Sequence, residues 1–555
     1  MASNLRRVFF SCGLACAFLC SSAIGQLRVV TYNTANGGEN NSPSTPRSGM
    51  STILEAIGNE SRNGIAKPID VLSLQEQFTS ATTTQQIVDL LNSIHGPGTY
   101  ARASINGATL GGGRPGLVYN TQTIELLGQT AFGTVNGSRQ ARATLRYQLK
   151  PVGYGADAEF YVYSNHYKAS TGASNETRRN FEAIALRSNA DGLGQGTHAI
   201  YSGDYNIQSS SEAMYQTLLA SGNGQAFDPI NRPGNWHNSS SFRNVHTQSP
   251  YDTAFNDPSL ISGGMDDRFD FQLVTGEFLD DEGLSYINGS YRAFGNNGTH
   301  SLNDSINDNS NTAQPMNVLN ALARVSDHLP VVADYQVPAR MGVTLGTIPN
   351  RMLADAVIQM PVTVSNTANV VSFNGADELD YTITGLGAFS GTESGMDAAL
   401  GSGNTHLIDI DTSTLGTNVG IIQVNSSSQA VADGSFSGST NYTILDHANA
   451  SFDGADDINS LTIDFGVTVP RSDQTESFSI SNLLSVFAAG LDFDSTIEFG
   501  DAELTTDLAP FSNLPPGLTS NPFMAMLDTH ADPGRYSATT ILQFSDEDIP
   551  GVSMP

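Results

Sequence analysis

Between residues 27 and 337, short apolar runs rich in β-branched and aromatic residues alternate with stretches whose apolar positions recur at helical spacing. The runs 27–32, 71–74, 116–119, 159–164, 199–201, 269–274 and 329–335 predict strands, and 50–57, 83–94, 176–186 and 210–219 predict helices. Such interleaving predicts an α/β or α+β layered domain. Residues 296–314 are crowded with Asn, Asp and Ser and predict a long loop. After Pro338 the pattern changes. Helical periods largely disappear, and short alternating runs recur at 357–364, 420–424, 461–469, 477–480 and 539–544. Leu345-Gly346-Thr347-Ile348-Pro349 echoes Phe465-Gly466-Val467-Thr468-Val469-Pro470, and 411–424 echoes 528–544. This weak internal repeat fits two tandem all-β sandwich domains, 341–455 and 456–555.

Length and composition refine the division. A chain of 555 residues exceeds one ordinary core, so two to four domains are expected. The first 25 residues stand apart: Arg6 and Arg7 precede a mostly apolar stretch, and Ala23 and Gly25 supply small residues for cleavage. They predict a signal peptide and a secreted product, extracellular or periplasmic. All three cysteines, Cys12, Cys16 and Cys20, fall inside this segment. The remaining chain therefore offers no disulfide, thiolate metal site or cysteine nucleophile. No second long apolar segment follows, so no stable membrane insertion is expected after cleavage. A monomer is expected.

Charge excludes one further class. The formal net charge is −30, divided unevenly: residues 27–337 hold 19 Lys and Arg against 28 Asp and Glu, and residues 338–555 hold 4 against 27. A protein gripping nucleic acid through a broad basic surface would not be built this way. The acidic second half reads first as a solvated, salt-tolerant surface. It is a candidate spacer, carbohydrate binder or surface-attachment module.

Polar residues at the ends of the predicted strands carry the candidate chemistry. Asn33 follows 29–32, Glu76 follows 71–75, and His166 follows 161–165. Asp204 and Asn206 follow 200–203, Asp270 lies in Arg268-Phe269-Asp270-Phe271, and Asp327 with His328 precedes 329–335. Hydrolysis of a phosphodiester needs a cation on the phosphoryl oxygens, an acid or base acting on water, and donors for developing charge. Hard oxygen ligands suit Mg2+, with Mn2+ or Ca2+ as alternatives. Strand ends fix such groups rigidly at a cleft. Singly, each has an ordinary reading: Glu76 as a helix N-terminal acid, Asn33 as a turn amide, His166 as a core histidine, Arg268 with Asp270 as a structural ion pair. Asp304 and Asp308 are weaker candidates for calcium, without the spacing of a known loop.

Thr31-Tyr32-Asn33, Leu74-Gln75-Glu76, Asn165-His166-Tyr167-Lys168, Gly203-Asp204-Tyr205-Asn206, Phe269-Asp270-Phe271 and Ser326-Asp327-His328-Leu329-Pro330 occur in the order of the endonuclease/exonuclease/phosphatase superfamily, and the region 27–337 resembles it. The resemblance implies a four-layer α/β sandwich with the site at one edge. It implies Glu76 as principal metal ligand, with Asn33 and Asp327 beside the metal. Asp204 would orient or deprotonate water or serve the leaving group, and Asn206 would donate to a phosphoryl oxygen. His166 and His328 would flank the phosphate, with Asp270 orienting His328, and Arg142 would bind phosphate in competition with Arg139 and Arg146.

The Asn-His-Tyr-Lys segment is similar to that of secreted bacterial nucleases, which makes extracellular nucleic acid the expected substrate. Arg114, Arg139, Arg142, Arg146, Arg178 and Arg179 are expected to line a local anion groove. Asp267-Arg268 resembles the Asp-Arg of inositol phosphatases, so a phosphomonoesterase or a sphingomyelinase-like phospholipase C is the alternative. A surface-binding protein with a degenerate nuclease domain is the non-enzymatic one.

Overall fold

The computed structural model describes residues 26–38, 43–253, 257–469, 471, 474–528, 530 and 532–551, and the segment 1–25 read as a signal peptide lies outside them. In the first region the strands are β1 (Leu27–Asn36), β2 (Ser61–Arg62), β3 (Ile65–Ala66), β4 (Val71–Gln77), β5 (Tyr100–Arg102), β6 (Arg114–Asn120) and β7 (Ile124–Phe132). They continue as β8 (Thr144–Pro151), β9 (Phe160–His166), β10 (Ala199–Asp204), β11 (Asp270–Val274), β12 (Arg292–Ala293) and β13 (Val331–Tyr335). The α-helices are α1 (Met50–Asn59), α2 (Gln85–His95), α3 (Ala173–Asp191), α4 (Ala213–Leu219) and α5 (Met316–Val325). One sheet runs β12-β13-β1-β4-β6-β5 and a second runs β11-β10-β9-β8-β7, while β2 and β3 form a separate hairpin.

Both main sheets are mixed, and the hydrophobic pattern explains how they meet. Leu27 and Val29 of β1, Val71 of β4, Phe160 and Val162 of β9 and Ile200 of β10 share one core between the sheets. The alternate residues Val30, Tyr32, Leu72 and Leu74 pack against Met50, Ile53, Leu54 and Ile57 of α1, Leu91 of α2 and Leu322 of α5. Tyr163 and Tyr201 turn the other way, onto Ala183 and Leu186 of α3 and Met214 of α4. The central strands are therefore buried on both faces, which is why they read as nearly continuous apolar runs.

Between the sheets the interior changes character along each strand. Read at every second residue, β1 gives Leu27, Val29, Thr31, Asn33, and β9 gives Phe160, Val162, Ser164, His166. β10 gives Ile200, Ser202, Asp204, and antiparallel β11 gives Val274, Gln272, Asp270. An apolar layer thus passes into a hydroxyl and amide layer, then into ionisable groups at the edge. The middle layer is hydrogen-bonded across the sheets: Ser202 Oγ to Ser73 Oγ at 2.8 Å, Gln75 Nε2 to Ser164 Oγ at 3.3 Å, and Gln272 Nε2 to the Val29 carbonyl at 3.0 Å. Paired in this way, buried polar groups escape most of the penalty of leaving water.

The elements absent from the expectation are the short strands β2, β3, β5 and β12 and the longer β7, β8 and α5. In β8 the buried Leu145, Tyr147 and Leu149 alternate with Arg146, Gln148 and Lys150, and that charged face disguises the strand. Edge strand β7 is buried only at Ile124, and its other residues are half-buried or exposed.

Beyond Pro338 the described residues are almost wholly β. Met341–Leu345, Gln359–Asn366, Asn404–Ile410 and Phe389–Ser390 form one sheet. Arg351–Leu353, Ser435–Leu445, Gly416–Ser426, Leu379–Gly387 and Thr392–Asp397 form another, with Val362, Ile383, Ile422 and Tyr442 among the residues packed with them. Two three-stranded sheets follow, around Ile480, Leu491 and several half-buried phenylalanines. Residues 461–469 form no strand, contrary to expectation, and Ile463 and Phe465 instead border an apolar gap of about 160 Å³. The first of these β units docks at the Leu27 end of β1, away from Asn33. There Tyr154 Oη donates to the Pro338 carbonyl at 2.9 Å, and Ala368, Val370 and Ala376 join the core that holds Leu27.

Candidate active site

The ionisable ends of the two sheets meet in a cleft of about 720 Å³ lined by Glu76, Arg142, His166, Asp204, Asn206, Asp327 and His328, among others. Ladder register places His166, Asp204 and Asp270 side by side on three adjacent strands. Glu76 reaches the cleft differently. Strand alternation would put it with Leu72 and Leu74 on the helix side, but its φ of 53° and a break in the ladder between Leu74 and Gln77 redirect it. Asn206, at φ 52°, leaves its strand in the same left-handed conformation. Backbone held in this region by non-glycine residues concentrates at functional sites. Gly113 makes the turn at Glu76 sterically feasible, since a Cβ there would lie 2.6 Å from Glu76 Cα.

Asn33 is the hub. Its Nδ2 donates to Glu76 Oε1 at 3.2 Å and to Asp204 Oδ2 at 3.1 Å, and its Oδ1 accepts from the Ala35 amide at 3.0 Å. The other Asp204 oxygen accepts from the Asn206 amide at 2.9 Å. His166 Nε2 stands 3.5 Å from Asp204 and 3.7 Å from Glu76. On the opposite side, His328 Nδ1 meets Asp270 Oδ2 at 2.8 Å and its Nε2 points toward Asp204 at 3.8 Å. Asp270 is held in turn, because Thr247 Oγ1 accepts from its backbone amide at 3.2 Å.

The two histidines are driven in opposite directions. Burial, then Arg142 and His328, hold His166 well below the usual imidazole range. Burial pushes His328 the same way, but Asp270 and Asp204 outweigh it and raise His328 well above that range. Near neutral pH the cleft therefore pairs a neutral imidazole with an imidazolium. The carboxylates are crowded. Burial and then Asp327 raise Glu76, and burial with Asp270 and Glu76 raises Asp204 against the pull of His328.

This crowding tests whether a cation fits. Asp327 Oδ1 and Asp270 Oδ1 are buried and accept no hydrogen bond, although Asp327 Oδ2 accepts from the Ile261 amide at 2.9 Å. Asp204, Asp270 and His328 bring ligand atoms within 4.8 Å of one another, and such a cluster is able to hold a metal ion. Unsatisfied carboxylate oxygens beside mutually repelling acids form a donor set for a hard divalent cation.

The arginines sort themselves by neighbour. Arg142 Nε donates to the Gly111 carbonyl at 2.9 Å and Nη1 to the Tyr167 carbonyl at 3.1 Å, at the cleft wall. Arg139 instead stacks over Phe181, and Arg146 over Tyr161. Arg179 lines the cleft but is ion-paired with Glu212 at 2.5 Å. Arg114 and Arg178 donate to backbone carbonyls of Phe78 and Arg139. The groove of six arginines reduces to Arg142 and Arg179 at the cleft, with Arg178 close behind. Arg268 does not pair with Asp270: it is buried against Asp228 at 2.8 Å, and Asp267 pairs with His237 at 2.9 Å. Neither Asp267 nor Arg268 lines the cleft. Asp308 Oδ1 accepts from the Ser310 amide, and the Asp304 carbonyl accepts from Met265.

Several residues at or behind the cleft carried no signal in the sequence. The Gln248 amide nitrogen lies 3.3 Å from His328 Nε2, and Thr247 and Ile261 support Asp270 and Asp327, while Phe269, part of the Phe269-Asp270-Phe271 motif, flanks the His328 ring. Gln248, Thr247 and Ile261 come from the long connection before β11, where no periodicity marks them.

No family model matches the chain, and no curated protein matches it. The solved structures it matches include two described as endonuclease/exonuclease/phosphatase proteins. One such protein from Bacteroides thetaiotaomicron has 15% identity over 56% of this chain and 97% of its own, with a TM-score of 0.34. TDP2 of D. rerio, complexed with single strand DNA product, has 14% identity over 56% of this chain and 99% of its own, with a TM-score of 0.34. A mannosyl-6-phosphatase of Bacteroides thetaiotaomicron has 14% identity over 56% and 99%, with a TM-score of 0.33.

Proposed function

We propose that residues 27–337 form a four-layer α/β phosphoesterase that is secreted, depends on a divalent metal and hydrolyses phosphodiester bonds of extracellular nucleic acid. The observation that carries this reading is the convergence of Asn33, Glu76, His166, Asp204, Asp327 and His328 on one cleft, with Asp270 behind His328. Residues 1–25 direct export, and the β units 341–455 and 456–555 bind a surface or carbohydrate.

Glu76, Asn33 and Asp327 would hold the metal, Mg2+ in the first instance. When bound, the ion supplies positive charge to the phosphoryl oxygens. Asp204 accepts the proton of the attacking water, its two oxygens fixed by Asn33 and Asn206. Burial raises its pKa, which brings it closer to the range of an effective general base. His328 presents Nε2–H to the phosphoryl group, and Asp270 fixes its tautomer and stabilises its charge. His166, kept neutral, accepts a hydrogen bond or proton at the opposite side. Asn206 keeps one amide hydrogen on the Tyr167 carbonyl at 3.3 Å, and the second is available to a phosphoryl oxygen.

The cations beside the cleft favour a polyanion. Lys168 is pushed down by burial and then by Arg178, Arg142 and Arg179, so four cations crowd one wall of an otherwise acidic protein. Mutual repulsion of this kind is relieved when several phosphates bind. The test is a substrate panel of plasmid DNA, RNA, sphingomyelin and inositol phosphates, each with Mg2+, Ca2+ or chelator. Cleavage of plasmid or RNA, lost with chelator, is expected. Turnover of sphingomyelin or inositol phosphates alone would replace the nuclease reading with the phospholipase or phosphomonoesterase one.

A further inference from the structure

Glu182 lies on α3, outside the cleft lining, and is fully buried. Both its oxygens are engaged: Oε1 accepts from the Ala141 amide and Oε2 from the Lys168 amide, each at 2.8 Å. Ala141 precedes Arg142, and Lys168 follows Tyr167. The Tyr167 carbonyl accepts from Arg142 Nη1 and from Asn206 Nδ2. Contacts thus close a ring from Glu182 through Ala141 and Arg142 to Tyr167 and back through Lys168, with His166 one residue away.

A helix position facing a core is ordinarily apolar, as the neighbouring Ala183 and Leu186 are. A carboxylate there carries a large desolvation penalty. Burial pushes Glu182 up to about 7 against the pull of its two backbone hydrogen bonds. Its chemistry explains why the neutral amide of the same size would not serve. Two N–H groups arriving from different segments need two acceptor oxygens. A glutamine offers one, and sets its own N–H2 against the other donor.

We infer that Glu182 is a positioning residue that locks the Arg142 loop to the 166–168 segment, and so sets the phosphate-facing wall of the cleft. On its other side the loop carrying Arg142 is tied to 108–110, where Leu110 donates to the Ala141 carbonyl and Ala143 to the Ala108 carbonyl, each at 2.9 Å, so the Glu182 bond to the Ala141 amide is what joins it to the helix beside 166–168. Only the kinetic consequence rests on the phosphoesterase reading.

Two measurements on the chain from Gln26 onward test the inference, with Glu182→Gln and Glu182→Asp alongside the unaltered protein. The first is amide hydrogen exchange in peptides covering 139–145 and 165–170. Exchange is expected to rise roughly tenfold in Glu182→Gln while the rest of α3 is unchanged. Unchanged exchange in both peptides overturns the inference. The second is turnover of bis(p-nitrophenyl) phosphate with Mg2+. Glu182→Gln is expected to lower kcat about 10–100-fold, the usual loss when a supporting hydrogen-bond partner is removed. In an Arg142→Ala background the same substitution should cost less than about threefold, because coupled residues are non-additive. Equal losses in both backgrounds indicate a merely structural role and overturn it. Full recovery in Glu182→Asp, which keeps the charge but not the span, would do the same. Failure of the phosphoesterase reading is distinguishable: the unaltered protein then shows no turnover, while the exchange difference persists.

Discussion

The two halves of the chain differ in where they keep most of their acidic residues, although the second half also buries Asp377, Asp397, Asp546 and Glu547. In 27–337, Asp70, Asp204, Asp270, Asp334 and Glu182 are buried and each is held by a named partner. In 338–555 the acids outnumber the cations 27 to 4, and Asp409, Asp411, Asp453 and Asp528 cap turns or pair at the surface. Net charge is therefore a poor guide to chemistry in this protein. The half with the smaller acidic excess holds the carboxylates that crowd the cleft, because burial and crowding, rather than number, shift a carboxylate's proton affinity.

The largest expected effect separates the halves by activity. His328→Ala should lower kcat by about 10³-fold or more and Asp270→Asn by about 10²-fold, judged by initial rates on a diester substrate. Asp411→Asn, in the β-rich half, should leave the rate unchanged. A comparable loss in Asp411→Asn would erase the contrast.

Buried pairing should next separate them by stability. Asp228→Ala strips Arg268 of its carboxylate in a fully buried site ringed by Trp236, Phe271 and Tyr291. Denaturant unfolding should show a loss of about 3–5 kcal/mol, the penalty of an uncompensated buried charge.

The buried Glu182 gives a pH signature with an uncommon sign for a carboxylate. Its folded pKa of about 7 lies above the ordinary 4.5, so the folded protein binds that proton more tightly than the unfolded chain. The associated stability is fully present below pH 4.5 and is lost as pH rises through about 7. Relative to Glu182→Gln, the unaltered protein should lose about 3 kcal/mol across this window. Parallel stability curves for the two proteins would refute the assignment.

The smallest effect belongs to the acidic half. Arg351 pairs with Glu547 at 2.5 Å, but the arginine is 46% exposed, so screening leaves little net gain. Arg351→Ala should shift stability by under about 1 kcal/mol, and a loss matching that of Asp228→Ala would show that this half, too, is held by its charges.

Much of the site was legible in the chain because strand ends carry their own signature. Asn33, His166, Asp204 and Asp270 each continue a period-two row that begins with an apolar residue, so pattern and position agree. Glu76 was legible only as a motif, since strand parity alone turns it away from the cleft. Arg139, Arg142 and Arg146 are equivalent in sequence, and ring contacts made by Phe181 and Tyr161 decide among them. Gln248, Thr247 and Ile261 were not legible, because their contacts to His328, Asp270 and Asp327 come from an irregular segment without periodicity. In the β-rich half, the short alternating runs located only the strands Gln359–Asn366, Gly416–Ser426, Gln474–Phe478 and Ala538–Asp546, and 461–469 had the composition of a strand without partners to pair with.

The claim that the convergent carboxylates and histidines form a metal-dependent phosphoesterase is tested most directly by plasmid cleavage under four conditions: the unaltered protein and Glu76→Ala, each with Mg2+ and with chelator. The account predicts cleavage by the unaltered protein with Mg2+ alone, and none in the other three. Equal cleavage by Glu76→Ala, or cleavage that persists in chelator, would contradict it.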